Sequence, residues 1–157
     1  MLRLRGMDKR LIDNEVMLPK VAELIASGHT VTLRVKGQSM NPFLRHGRDQ
    51  VTLAPFETLS LQPGVVVLAR EQGSGRIVLH RIIHREGDRL TLQGDGNVQG
   101  VELTTVHLVM GQVIEFIRGT KHYPVNGCTW RLYSNLWLKL KPIRRWLLAV
   151  CRRLFGN

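Results

Sequence analysis

Cysteine is scarce in this 157-residue chain: the two residues, Cys128 and Cys151, both lie near the C-terminus. Two thiols do not make the disulfide framework of a small secreted domain, and a reducing compartment is the simpler expectation. Long apolar runs are missing too, since no window approaches the roughly 18 consecutive apolar residues of a spanning helix. The opening stretch, MLRLRGMDKRLIDNEVMLPK, is charged throughout and lacks the apolar centre of a secretory signal. These absences predict a protein that faces the cytoplasm and is not integral to a membrane. Acid is also in short supply, with 12 Asp/Glu against 23 Lys/Arg and a formal charge of +11.

The charge imbalance is local. Residues 128–157 hold Arg131, Lys139, Lys141, Arg144, Arg145, Arg152 and Arg153 and no acid, which leaves sixteen bases against twelve acids elsewhere. The tail therefore calls for an anionic partner, while the rest of the chain is near balance. A length of 157 residues fits one domain with a short appendage, and 43% hydrophobic residues is a globular composition. We divide the chain into an N-terminal helical segment (1–29), a catalytic domain (30–120) and a basic amphipathic tail (121–157).

Residues 19–27 predict a short helix, with Pro19 in its first turn, Val21, Leu24 and Ile25 at helical spacing and Gly28 as the stop. From Thr30 the period becomes two: Val31, Leu33 and Val35 alternate with Thr32, Arg34 and Lys36. Further strands are expected at 50–54, 64–70, 76–83, 89–93 and 106–117, with turn signals such as Gln62-Pro63-Gly64 and Gly94-Asp95-Gly96 between them. Runs apolar on both faces, such as Val65 to Leu68, favour a coiled or barrel-like sheet over an open one, so the fold class is mostly β. After Gly127 the helical period returns. Trp130, Tyr133, Trp137 and Leu140 mark one stripe, and beyond Pro142, Ile143, Trp146, Leu147, Val150 and Leu154 mark a second. These two basic amphipathic helices either pack on the β core or lie on an anionic membrane surface through Arg144, Arg145, Arg152 and Arg153; nucleic acid is the less expected partner.

Chemistry centres on Lys36-Gly37-Gln38-Ser39-Met40-Asn41-Pro42, where a serine follows a strand between a flexible glycine and a turn-forming Asn-Pro pair. A hydroxyl is a weak nucleophile without a base in hydrogen-bond reach, so a partner must come from elsewhere in the chain. Taken alone, a loop serine is more often an ordinary turn residue.

The Gly-x-Ser-Met-x-Pro pattern of Gly37 to Pro42, followed by Gly47 and Val51, resembles the nucleophile box shared by signal peptidases and the self-cleaving SOS and phage repressors. Three later stretches agree, in the same order: Pro63-Gly64-Val65-Val66-Val67, the base-bearing strand Val78-Leu79-His80-Arg81-Ile82, and Leu92-Gln93-Gly94-Asp95-Gly96-Asn97. The resemblance covers roughly residues 30–118 and implies the coiled-sheet fold of signal peptidases and repressor C-terminal domains, flanked by a short N-terminal helix and two C-terminal amphipathic helices. It also implies a serine endopeptidase. Where housekeeping signal peptidases and repressors carry a lysine base, this chain has His80, similar to the endoplasmic-reticulum type of signal peptidase. An imidazole, with a solution pKa of about 6.5, is largely neutral at pH 7 and suits the task.

By resemblance, Ser39 is the nucleophile, His80 the base and Asp95 the residue that orients His80. The backbone at Ser39 and Gln38 would serve the oxyanion, since Gly37 offers no hydroxyl there, and Met40 and Pro42 would line a substrate groove. Asp95 reads equally well as a hairpin turn residue, because Asp-Gly is itself a turn signal. The Gly-Asp pair of the family appears out of step as Gly47-Arg48-Asp49, and Val65 stands where an Asp is usual. No cofactor is expected, and no metal either: His80 and His84, four apart on a strand, would sit about 13 Å apart and cannot share an ion. The expected substrate is a leader or regulatory peptide with small side chains before the scissile bond. Two other readings remain in view: a non-catalytic adaptor whose working part is the basic tail, and a self-cleaving repressor.

Overall fold

The computed structural model describes residues 14–155. One eight-stranded antiparallel sheet forms the body: β1 (Val31–Arg34), β2 (Gln50–Ala54), β3 (Val66–Arg70), β4 (Ile77–Glu86), β5 (Arg89–Gln93), β6 (Glu102–Thr105), β7 (Val109–Arg118) and β8 (Lys121–Pro124). Neighbours run β1-β2-β7-β3-β4-β5-β6, and the long β7 pairs β3 with its first half and β8 with its second. Register shifts at Thr52/Leu53, Leu68/Ala69 and Ile82/His84 each disturb the ladder. Such irregularities bend a strand and raise its twist, and here they accompany a sheet curled into a half-barrel. The fold is mostly β and coiled, as the strand pattern predicts.

The curl encloses two apolar clusters. One gathers Val35, Met40, Phe43, Leu44, Val51 and Phe116 under helix α1 (Asn14–Ala26), and the other gathers Leu61, Val67, Ile82, Leu90, Leu92 and Val106. Helix α1 begins earlier than residue 19 and carries Pro19 inside it, because Met17 and Leu18, one turn upstream, also pack on the core. Its Ile25 rests on Gly111 of β7, where an added Cβ would lie 2.8 Å from the isoleucine.

The tail does not hang free. Helix α2 (Cys128–Lys139) buries Trp130, Ser134 and Trp137, which recur at i, i+4 and i+7 on one face. Trp130 stacks on Phe116 at 3.9 Å between ring centroids and meets Phe43 edge-on at 4.9 Å. Such aromatic pairs contribute about 0.5–1.5 kcal/mol each beyond their area, enough to fasten a twelve-residue helix to the sheet. Helix α3 (Arg144–Phe155) follows after a turn of 3-10 helix at Lys141–Ile143. Among the described residues no helix is long and apolar enough to cross a membrane.

Candidate active site

The loop between β1 and β2 presents Ser39, and it is braced from within. Asp49, fully buried, accepts from the backbone N–H of Arg45 at 2.8 Å and from the Arg48 guanidinium at 2.5 and 2.7 Å. Burial alone would raise the Asp49 pKa, but the bonds from Arg48 and Arg45 outweigh it and hold the carboxyl below the usual aspartate range. Backbone bonds from Val35 N–H to the Asp49 carbonyl and from Gly47 N–H to the Val35 carbonyl close the loop, while Gly37 donates its N–H to His46 Nδ1 at 2.8 Å. Gly37 takes φ +84°, a conformation that a side chain would resist. Arg48-Asp49 is thus a brace for the serine loop.

His80 projects from the middle of β4 and is 4% exposed. Gly94, at the exit of β5, lies close to both His80 and Ser39. A Cβ added to Gly94 would stand 3.0 Å from His80 Nε2, 3.0 Å from Ser39 Cβ and 2.4 Å from the Ser39 carbonyl oxygen. Two atoms each 3.0 Å from one point are no more than twice that distance apart, so His80 Nε2 and Ser39 Cβ both lie close to Gly94, where only glycine leaves room. Gly96 locks the arrangement by donating its N–H to the Ser39 carbonyl at 2.7 Å.

The other ring nitrogen settles on a residue that sequence reasoning missed. His80 Nδ1 lies 2.8 Å from Glu102 Oε2, and both side chains are largely buried. A carboxylate only accepts, so in this contact Nδ1–H is the donor to Glu102. Glu102 opens the four-residue strand β6, and the alternation of Val101 and Leu103 around it after Gly100 was the available signal for a strand there.

Asp95 does not orient His80. It accepts from Arg81 Nε at 2.8 Å and Arg81 Nη2 at 2.7 Å, and from the Tyr133 hydroxyl at 3.0 Å. The reason is strand alternation: His80 and Arg81 are consecutive in β4 and point to opposite faces, so the residue held by Arg81 stands across the sheet from the imidazole. Arg81 is fully buried, also bonds the Gly64 carbonyl at 3.0 Å and Ser134 Oγ, and lies over the Trp130 ring. Met40 is corrected as well, because at 2% exposure it belongs to the core and not to a substrate groove, whereas Pro42 is half-buried beside it. Gln38 is exposed, and its carbonyl accepts from Asn41 N–H at 3.0 Å.

Arg144 is not a surface anion contact: it is 3% exposed and bonds Gln93 and the Trp137 carbonyl. Arg145 and Arg153 are exposed, and the Arg152 side chain lies outside the described residues. His84 is exposed while His80 is buried, because the register shift at Ile82/His84 breaks the period-two relation between them. Among the described residues no three His, Cys, Asp or Glu side chains group as metal ligands would.

A family model described as Peptidase S24-like matches residues 6–114, more than half of the chain and a span that holds Ser39, His80 and Glu102. The chain belongs to the Peptidase S24-like family. Membership supports a peptidase or repressor-type function. The match ends within β7, so the S24-like part stops before β8, α2 and α3, which reach back to it through Tyr133, Ser134 and Arg144. No curated protein matches the chain.

Proposed function

We propose that this protein is a serine endopeptidase that cleaves a leader or regulatory peptide with Ser39, His80 and Glu102. The observation that supports the reading is a buried imidazole with Nδ1 on Glu102 and Nε2 near Gly94, which also lies close to Ser39. In this scheme His80 Nε2 takes the Ser39 hydroxyl proton as Oγ forms a bond to the scissile carbonyl carbon. The resulting oxyanion is held by backbone N–H groups, with that of Ser39 as the first donor. The C–N bond then breaks as His80 returns the proton to the leaving amine. Water attacks the acyl ester, giving its proton to His80, and the Ser39 hydroxyl is restored. Glu102 accepts from Nδ1–H and steadies the imidazolium that forms twice per turnover.

A serine-directed fluorophosphonate probe tests this directly. The chain should gain one adduct, mapped to Ser39, and Ser39→Ala or His80→Ala should cut peptide cleavage on the order of 10⁶-fold. Full peptide processing by either variant would overturn the reading. Incubating the chain alone and following its intact mass separates peptidase from repressor-type behaviour, because self-cleavage at neutral or raised pH would shorten it.

A further inference from the structure

Helix α3 is mounted with its apolar stripe facing away from the core. Ile143, Trp146, Val150 and Leu154, spaced i, i+3, i+7 and i+11, are 46, 69, 53 and 71% exposed, whereas the inward face carries Arg144 and Leu148, both 3% exposed. A surface helix ordinarily turns its apolar stripe inward. Here a buried arginine takes that place: Arg144 Nη1 donates to Gln93 Oε1 at 3.1 Å, Nη2 donates to the Trp137 carbonyl at 3.2 Å, and the guanidinium lies over the Trp137 ring. These bonds fix which face of α3 is left outward.

The rim of that stripe is cationic. Lys141, Arg145 and Arg153 are exposed on or next to α3, and residues 128–157 contain no acid to offset them. Helix α2 adds exposed Leu132 and Leu136 to the same charge environment. We propose that α3 lies in the interface of an anionic lipid bilayer, with Ile143, Trp146, Val150 and Leu154 in the headgroup–acyl boundary and the surrounding cations on the lipid phosphates. An apolar stripe, an interfacial tryptophan and unopposed bases are what such a helix needs. Nucleic acid would use the bases but leave the stripe in water. A second copy would cover the stripe but bring like charges together.

The inward face of α3 is held to the sheet by Gln93, which pairs with Arg81 of β4. Gln93, which anchors Arg144, directly precedes Gly94, and Val98 and Gln99 of the following loop line one hollow with Arg145 and Ala149 of α3. The docking itself does not depend on Ser39 chemistry.

Vesicle flotation of the full chain tests the proposal. Vesicles of phosphatidylcholine with phosphatidylglycerol should carry the protein upward at low salt, less so at high salt, while pure phosphatidylcholine should not. Binding should shift tryptophan emission to the blue through Trp146, since Trp130 and Trp137 are already buried. The double substitution Trp146→Glu and Val150→Glu should reduce bound protein at least tenfold with an unchanged urea midpoint, and Ser39→Ala should float like the parent. Absence of flotation on the anionic vesicles would overturn the proposal, as would full binding by the double variant. Dimerisation that the double variant abolishes, without vesicle binding by the parent, would assign the stripe to a second copy instead.

Discussion

His80 Nδ1 and Glu102 Oε2 stand 2.8 Å apart, joining the middle of β4 to the first residue of the edge strand β6. The pair spans β5: Leu92 of β5 lies opposite Ile82 of β4 on one side and Glu102 of β6 on the other. Glu102 is a positioning residue in the proposed chemistry. Glu102→Gln should therefore lower kcat by up to about 10⁴-fold by losing the tautomer and the stabilised imidazolium. Glu102→Asp should recover part of the loss. The His80 Nδ1–H proton signal should leave its downfield position in Glu102→Gln, and kcat should fall while the urea midpoint stays near the parent value, which a purely structural role would not give. Unchanged kcat in Glu102→Gln would remove the residue from the mechanism.

Asp95 predicts the opposite pattern. Removing it leaves the Arg81 guanidinium, fully buried, without its carboxylate. Breaking a buried pair from one side costs about 3–5 kcal/mol, because the remaining charge is uncompensated. Asp95→Ala should lower the urea midpoint accordingly at unchanged slope, and the native fraction should still react with a fluorophosphonate at Ser39. Asp95→Ala with the parent midpoint and no probe reaction would make Asp95 a catalytic group after all.

These two carboxylates mark what was legible in the sequence. Strands β2 and β5 fall where alternation and flanking turn residues predict them, and the order of the resembling stretches anticipates the coiled sheet. Asp95 follows in sequence the Gly94 that meets His80, but side-chain direction, not chain proximity, decides its partner. Glu102 escaped because β6 is four residues long and exposes Leu103, so its apolar pattern is weak, and its meeting with His80 is set by strand pairing. Helix α3 was legible as amphipathic, yet which face turns inward depended on Arg144 finding Gln93, a contact 51 residues apart in sequence.

Gly94 tests whether closeness between the serine loop and His80 matters. Its Cβ would fall 2.4 Å from the Ser39 carbonyl, a backbone atom that cannot swing aside like a side chain. Gly94→Ala should displace the Ser39 turn and reduce cleavage at least about 10²-fold, since small misplacements at a reacting centre are costly. Gly96→Ala should act in the same direction, because its Cβ would meet the Gln38 carbonyl at 2.6 Å. Cleavage at the parent rate by Gly94→Ala, with a normal circular dichroism spectrum, would show that the serine is served from another side.

Tyr133 ties α2 to the core and supplies a pH signature. Burial first, and then the neighbouring Asp95 carboxylate, push its phenol well above the ordinary tyrosine range. In the unfolded chain the same phenol ionises at about pH 10. Between these values the unfolded state releases a proton that the folded state retains, so rising pH favours unfolding. The contribution is fully present below about pH 10 and is lost as pH rises toward the folded value. Tyr133→Phe should cost about 1 kcal/mol at pH 7 by deleting the hydrogen bond to Asp95. That deficit should shrink as urea midpoints are measured from pH 9 upward, because the variant has no phenol to ionise when it unfolds. A deficit that stays constant across the alkaline range would mean that Tyr133 ionises in the folded protein as readily as in water, and that α2 does not seal it against the core.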